Sequence, residues 1–198
     1  MNNLKFHRLS GQEAKKYALE LAKLRLKVFF DFPYLYEGTL DYEMNYLETY
    51  FKAKHAFIFL IEDKGQIVGA TTSIWAEEEV DNFKKPFELS GINPKDVFYF
   101  GESVLLPQYR GLGFGKIFFQ ERETFARSLP FINLLSFCAV IRPSTHPLRP
   151  QGYQPLDFFW HSQGFQKNDG LTTTYEWKDR GDEKESLKEM QFWTKLIK

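Results

Sequence analysis

The chain of 198 residues reads as one mixed α/β (α+β) domain. Three observations predict it. Stretches with apolar residues at helical spacing alternate with short apolar runs of strand character. Asp63-Lys64-Gly65 joins two such runs as a hairpin signal. A hydrophobic run from Val97 to Leu106 leads through Gly111, Gly113 and Gly115 straight into a helical pattern. The length suits a single unit with a sizeable core. Neither a repeat nor a linker interrupts it, so residues 1–198 are expected to form one domain.

Lys5 to Leu9 reads as a first strand. Ala14, Tyr17, Ala18, Leu21, Leu24 and Val28 keep helical spacing and predict an amphipathic helix over 11–30. Pro33 and Gly38 break the segment Phe32 to Gly38. Leu40, Met44, Leu47 and Phe51 mark a second helix; Ala56 to Glu62 and Gln66 to Trp75 are the hairpin strands. Glu77 to Ser90 is charged and helical in part, and Val97 to Leu106 is a strand. Phe114, Ile117, Phe118, Phe125 and Leu129 share one helix face, and Leu134 to Ile141 forms the next strand. Residues 142–155 hold four prolines and no period, which predicts a long loop. A short helix ends at Gly164, and Leu171 to Lys178 is a strand. From Asp182 onward, Leu187, Met190, Trp193 and Ile197 recur at helical spacing, so a helical tail is expected over about 182–198. Its Phe192 and Trp193 either pack on the domain or offer a homodimer contact.

Composition narrows the function classes. Aromatic residues make up 18% of the chain, with 21 phenylalanines, which excludes a disordered chain. Lys+Arg and Asp+Glu are both 26, so no charge excess favours nucleic acid or an anionic membrane as partner. Cys138 is the single cysteine and rules out an internal disulfide, which suits a cytoplasmic location. The start lacks the apolar core of a signal peptide, and no apolar run reaches membrane-spanning length. The four histidines are scattered and no cysteine pair exists, so no metal site is expected.

The most informative segment is Val104-Leu105-Leu106-Pro107-Gln108-Tyr109-Arg110-Gly111-Leu112-Gly113-Phe114-Gly115-Lys116. Glycines at a strand-to-helix turn let a ligand approach the backbone. The new helix offers unpaired N–H groups and a positive dipole end, an anion site suited to a pyrophosphate. A Walker A loop would need glycine at Arg110 and Ser or Thr at Ile117, so that reading fails. The dinucleotide fingerprint would need glycine at Lys116 or Phe118 and fails too.

Arg110-x-x-Gly113-x-Gly115, preceded by Val-Leu-Leu-Pro-Gln-Tyr, resembles motif A of the GNAT superfamily of acetyl-CoA-dependent N-acetyltransferases. Phe158 to Phe165, ending in Gly-Phe, is similar to that family's motif B. The resemblance covers roughly residues 4–178. It implies the GNAT acyl-CoA N-acyltransferase fold: a central, mostly antiparallel twisted sheet flanked by helices, splayed after its fourth strand where acetyl-CoA enters. Coenzyme A would be held by Val104, Leu105, Leu106, Arg110, Gly111, Leu112, Gly113, Phe114, Gly115 and Lys116. Acetyl would pass by direct attack to a primary amine of a small molecule or peptide, with no acyl-enzyme.

Acetylation of an amine needs a held thioester, a neutral amine and a route for the proton. Backbone N–H groups of about Val104 to Leu106 would polarise the acetyl carbonyl. Glu102, on the strand entering the loop, is the candidate base, with direct contact to the substrate ammonium or a solvated face as the other readings. Many GNAT sequences carry a Tyr four residues before the motif B glycine as general acid; here that position is Trp160. Tyr153 is the substitute candidate. His161 reads as a surface residue and Cys138 as inert core. Tyr34, Tyr36 and Glu37 could line the acceptor pocket or pack as an aromatic turn. Arg142, His146 and Arg149 could grip an acceptor anion or stand as solvated charges. A catalytically silent acyl-CoA-binding sensor, or an interaction module without a ligand, is the alternative function.

Overall fold

The computed structural model describes residues 4–197. Seven strands form one sheet in the order β1-β2-β3-β4-β5-β7-β6. They are β1 (Leu4–Ser10), β2 (Ala56–Asp63), β3 (Gln66–Trp75), β4 (Val97–Leu105), β5 (Leu134–Val140), β6 (Gln166–Trp177) and β7 (Ser186–Leu196). The helices are α1 (Gly11–Ala14), α2 (Ala18–Phe29), α3 (Leu40–Lys52), α4 (Asp81–Leu89), α5 (Phe114–Arg127) and α6 (Asp157–Ser162). All neighbouring strands run antiparallel except β4 and β5. No helix among the described residues is long and apolar enough to cross a membrane.

The elements follow from their side chains. The expected helix over 11–30 is broken into α1 and α2 by a 3-10 turn at Lys15–Tyr17. Ser10 and Glu13 close a reciprocal cap at the start of α1, satisfying donors that a helix end leaves orphaned. Thr39 caps α3 by accepting from the Tyr42 amide. β2 is buried on both faces, between α1 and α3 on one side and α5 on the other, so it reads as the continuous apolar run Ala56 to Ile61. Aromatic rings knit α5 to the sheet: Phe57 stacks on Phe125 at 5.0 Å, and Phe98 lies 5.6 Å from Phe125.

The tail corrects the helical expectation over about 182–198. Ser186–Leu196 is a strand, inserted between β5 and β6 and paired with both. Its interior position explains the misreading. Met190, Gln191, Phe192 and Trp193 are consecutively buried because both faces of the sheet are covered there. The alternation that marks a half-exposed strand is therefore missing, and the chance spacing of Leu187, Met190, Trp193 and Ile197 mimics a helix. Phe192 and Trp193 are 0% and 2% exposed, so they pack within the chain and are not available for a homodimer contact.

Two irregularities of β4 position the site. First, Thr71 faces Ser103 while Ser73 faces Phe100, so Thr72 alone stands opposite Gly101 and Glu102. This is a two-against-one bulge, which turns successive side chains toward the same face. Gly101 is required there, since a Cβ would lie 2.1 Å from Tyr50 Oη. Second, β4 and β5 pair only over Val97–Tyr99 and Leu134–Ser136, although both strands continue. Beyond Tyr99 they diverge, leaving one edge of β4 open.

Candidate active site

A cavity of about 360 Å³ lies against the bulge. Glu102 and Gly101 come from β4, Arg25 and Phe29 from α2, and Glu43 and Tyr46 from α3. Tyr34 and Tyr36 reach it from the turn after α2, Tyr99 and Cys138 from the diverging strands, and Tyr175 and Trp177 from β6.

Its floor is a charge cluster. Arg25 is 7% exposed, Glu43 0% and Glu102 6%. Arg25 Nη1 lies 2.6 Å from Glu102 Oε2, and Arg25 Nε donates to Glu43 Oε2. Tyr46 Oη donates to the same Glu102 oxygen at 3.2 Å and shares a 3.0 Å bond with Tyr50 Oη. The guanidinium also lies over the Tyr46 ring, 4.1 Å from its centre. Burial would lower the Arg25 pKa, but Glu102, Tyr46 and Glu43 outweigh it and raise it well above the ordinary value. Two carboxylates thus share one permanently charged cation. Among the described residues, no donor reaches Glu102 Oε1, although that atom is buried.

The surroundings are phenol-rich. Burial first, and then the Glu43 carboxylate, raise the Tyr36 phenol far above its usual range. Burial does the same to Tyr34 and Tyr175. Desolvation also raises the Glu79 carboxylate at the rim. Cys138 Sγ lies 3.2 Å from Tyr99 Oη, and burial pushes the thiol up to about 12, which leaves it protonated and unreactive at neutral pH. Under the strand, Arg122 Nη1 donates to the Glu102 carbonyl at 3.4 Å and stacks on Phe100; burial takes its guanidinium down to about 9.

The glycine loop follows β4. Gly111 and Gly113 have φ of +75° and +86°, conformations that side-chain-bearing residues rarely adopt. Gly113 is the N-cap of α5, and no side chain caps that end. The first intrahelical donor to bond is the Ile117 amide, to the Gly113 carbonyl at 3.3 Å. The amides of Phe114, Gly115 and Lys116 are the orphans of the first turn. Leu112, Gly113 and Lys116 are exposed, while Phe114 is buried and anchors the loop. Arg110 is exposed, and its Nε donates to the Leu105 carbonyl at 3.2 Å on the open edge of β4. Because backbone groups alternate along a strand, the Leu105 amide faces the same open edge. The Leu106 amide does not: it donates to Val68 at 3.0 Å, which corrects the expectation of a free N–H there. These groups suit a pyrophosphate at the α5 end and an acyl carbonyl along β4.

Of the other residues singled out in the sequence, Tyr34 and Tyr36 line the cavity with Glu102. Glu37 is exposed and lies 3.3 Å from Lys178, outside the lining. Arg142 does not grip an acceptor: it makes a bidentate pair with Asp179 at 2.6 and 2.8 Å and donates to the carbonyls of Pro33 and Tyr34. Arg149 lies over the Tyr153 ring, and Tyr153 packs edge-on against Phe32 at 4.7 Å; neither lines the cavity. Trp160 and His161 pack on Trp193, each with ring centres 5.0 Å away. Arg25 and Glu43 were missed, although a signal existed: each is a charged residue on the apolar stripe of its helix, beside Leu21 and Leu47.

Residues 20–148 match the family model described as the acetyltransferase (GNAT) family. An N-acetyltransferase from Staphylococcus aureus Mu50 superposes with a TM-score of 0.63 at 14% identity, covering 100% of both chains. Ribosomal-protein-alanine N-acetyltransferase from Brucella melitensis gives 0.62 at 14% identity, covering 98% of this chain and 99% of that one. Arabidopsis thaliana NAA60, solved in complex with a bisubstrate analogue, gives 0.60 at 11% identity, with 99% and 100% covered. No curated protein matches the chain.

Proposed function

Because the chain belongs to the acetyltransferase (GNAT) family, we propose that it transfers acetyl from acetyl-CoA to a primary amine by direct attack, with Glu102 as the base. The observation that carries this reading is Glu102 itself. The bulge aims it into the cavity, Arg25 and Tyr46 occupy one oxygen, and the other is buried without a donor.

Acetyl-CoA would supply the activated thioester. The amides at the start of α5, with Arg110 and Lys116 near them, would hold its pyrophosphate. The Leu105 amide would face its acyl carbonyl. Arg25 keeps Glu102 in place, so Oε1 can accept a proton from the incoming ammonium. Tyr153 is the candidate proton donor to the departing thiolate. Burial raises its phenol and so keeps it protonated at neutral pH, as an acid must be. A second reading, a silent acyl-CoA sensor, draws on Trp160, whose packing on Trp193 leaves α6 without a hydroxyl at that place.

Titrating acetyl-CoA while following thermal unfolding tests the first step. At a hundredfold excess over Kd, the native state gains about 2.7 kcal/mol, which raises Tm by roughly 5–10 °C. An unmoved Tm would refute the coenzyme site. Thiol release on adding amines then separates enzyme from sensor. Gly113→Val is expected to weaken acetyl-CoA binding at least tenfold by calorimetry, since a β-branched residue resists a φ of +86°. Unaltered affinity would exclude the loop from the site.

A further inference from the structure

The acceptor cavity has a composition and a boundary that the amine class alone does not explain. Among the residues lining it, Glu43, Glu79, Glu102 and Glu176 are acidic, and Arg25 is the one cation. Two carboxylate oxygens, Glu43 Oε1 and Glu102 Oε1, are buried without a donor among the described residues, which leaves an unmet acceptor charge at the floor. A guest that brings a positive charge satisfies it; a guest that brings its own carboxylate adds to an acidic wall. Above this floor the walls are rings, including Phe29, Tyr34, Tyr99 and Tyr175, which suit an apolar or aromatic body and an ammonium against a ring face.

The boundary is a weld between two segments. The turn after α2 and the turn after β6 hydrogen-bond to each other: the Glu37 amide to the Lys178 carbonyl at 2.9 Å, the Arg180 amide to Leu35 at 2.6 Å. Tyr36 and Asp179 form an isolated antiparallel bridge. Arg142 ties Asp179 to the carbonyls of Pro33 and Tyr34, and Trp177 Nε1 donates to Tyr34 at 3.1 Å. Lys188 closes the cluster 3.5 Å from Asp179. One way an extended peptide binds is by pairing its backbone with an open edge. Here these two segments spend that capacity on one another.

We infer that the acceptor is a small amine with an apolar or aromatic body and no carboxylate, and not an amine presented on an extended peptide. This rests on the acetyltransferase reading. The volume of about 360 Å³ falls near the small end of ligand pockets, roughly 300–1,000 Å³, and suits a molecule the size of 2-phenylethylamine.

The test uses the intact protein with acetyl-CoA and three acceptors. These are 2-phenylethylamine, phenylalanine (the same body with a carboxylate) and a hexapeptide with one free amine. The expected kcat/KM for 2-phenylethylamine exceeds that for phenylalanine at least a hundredfold and that for the peptide at least tenfold. Calorimetry in the presence of coenzyme A adds a readout without turnover. There 2-phenylethylamine should bind at least tenfold tighter than its neutral counterpart 2-phenylethanol. Equal or better use of the peptide or of phenylalanine overturns the inference and leaves the transferase reading standing. So does binding of the alcohol as tight as the amine, or the absence of amine binding to a protein that does bind coenzyme A. Absence of acetyl-CoA binding overturns the parent reading instead.

Discussion

Replacing Arg25 by methionine is expected to lower the unfolding free energy by about 3–5 kcal/mol. The guanidinium is 7% exposed and serves two carboxylates that are 0% and 6% exposed. Methionine fills much of the same length, so packing over Phe29 and Tyr46 is largely kept and the loss is electrostatic. Glu43 and Glu102 would then face each other in an apolar setting without a cation. The measurement is urea unfolding at neutral pH. The partner control is the triple change Arg25→Met, Glu43→Gln, Glu102→Gln, which removes the charges together and should recover most of the loss. A single variant as stable as the parent chain would mean that the cluster contributes nothing to folding.

Glu102→Gln should cut kcat/KM for acetyl transfer by about 10²–10⁴, the usual range for a positioned acid or base. The amide keeps the shape of the carboxylate and can still accept from Tyr46 or Arg25, which isolates loss of the charge and of the proton acceptor. Acetyl-CoA affinity should stay within about twofold, because the proposed pyrophosphate site is at the start of α5, beyond the end of β4. A base also leaves a mark on the pH profile. The parent activity should rise with pH as the amine loses its proton, and the variant should recover part of its deficit at high pH. Unchanged turnover in the variant would remove Glu102 from the chemistry.

The sequence made some of this legible and hid the rest for physical reasons. The hairpin Ala56 to Trp75 announced itself through Asp63-Lys64-Gly65, and it folds as β2 and β3. The glycine loop was readable because backbone freedom leaves a compositional trace, and Gly111 and Gly113 do adopt positive φ. Glu102 was found from its place before the loop, whereas the bulge that aims it depends on pairing with β3 and has no local signature. Arg25 and Glu43 drew no reading from the sequence, since helical spacing does not say that two charged positions meet across helices. Arg142 looked like a free anion grip because Asp179, its partner, lies 37 residues away. The tail misled for the opposite reason, because a strand buried on both faces has no period to read.

The position of β7 has a consequence for how the fold is reached. It is the last strand among the described residues, yet it sits inside the sheet and joins β5 to β6. Until it arrives, β6 has no strand to pair with, and β5 has one flank bare beyond its three-residue contact with β4. Ribosomal synthesis therefore exposes two hungry edges for as long as residues 186–196 remain in the exit tunnel. The cavity wall supplied by Tyr175, Trp177 and Met190 cannot close before then. Assembly of the half-sheet beyond the splay therefore waits for residues 186–196, and its long-range pairing slows it. During that interval the chain is most exposed to edge-to-edge association with its neighbours.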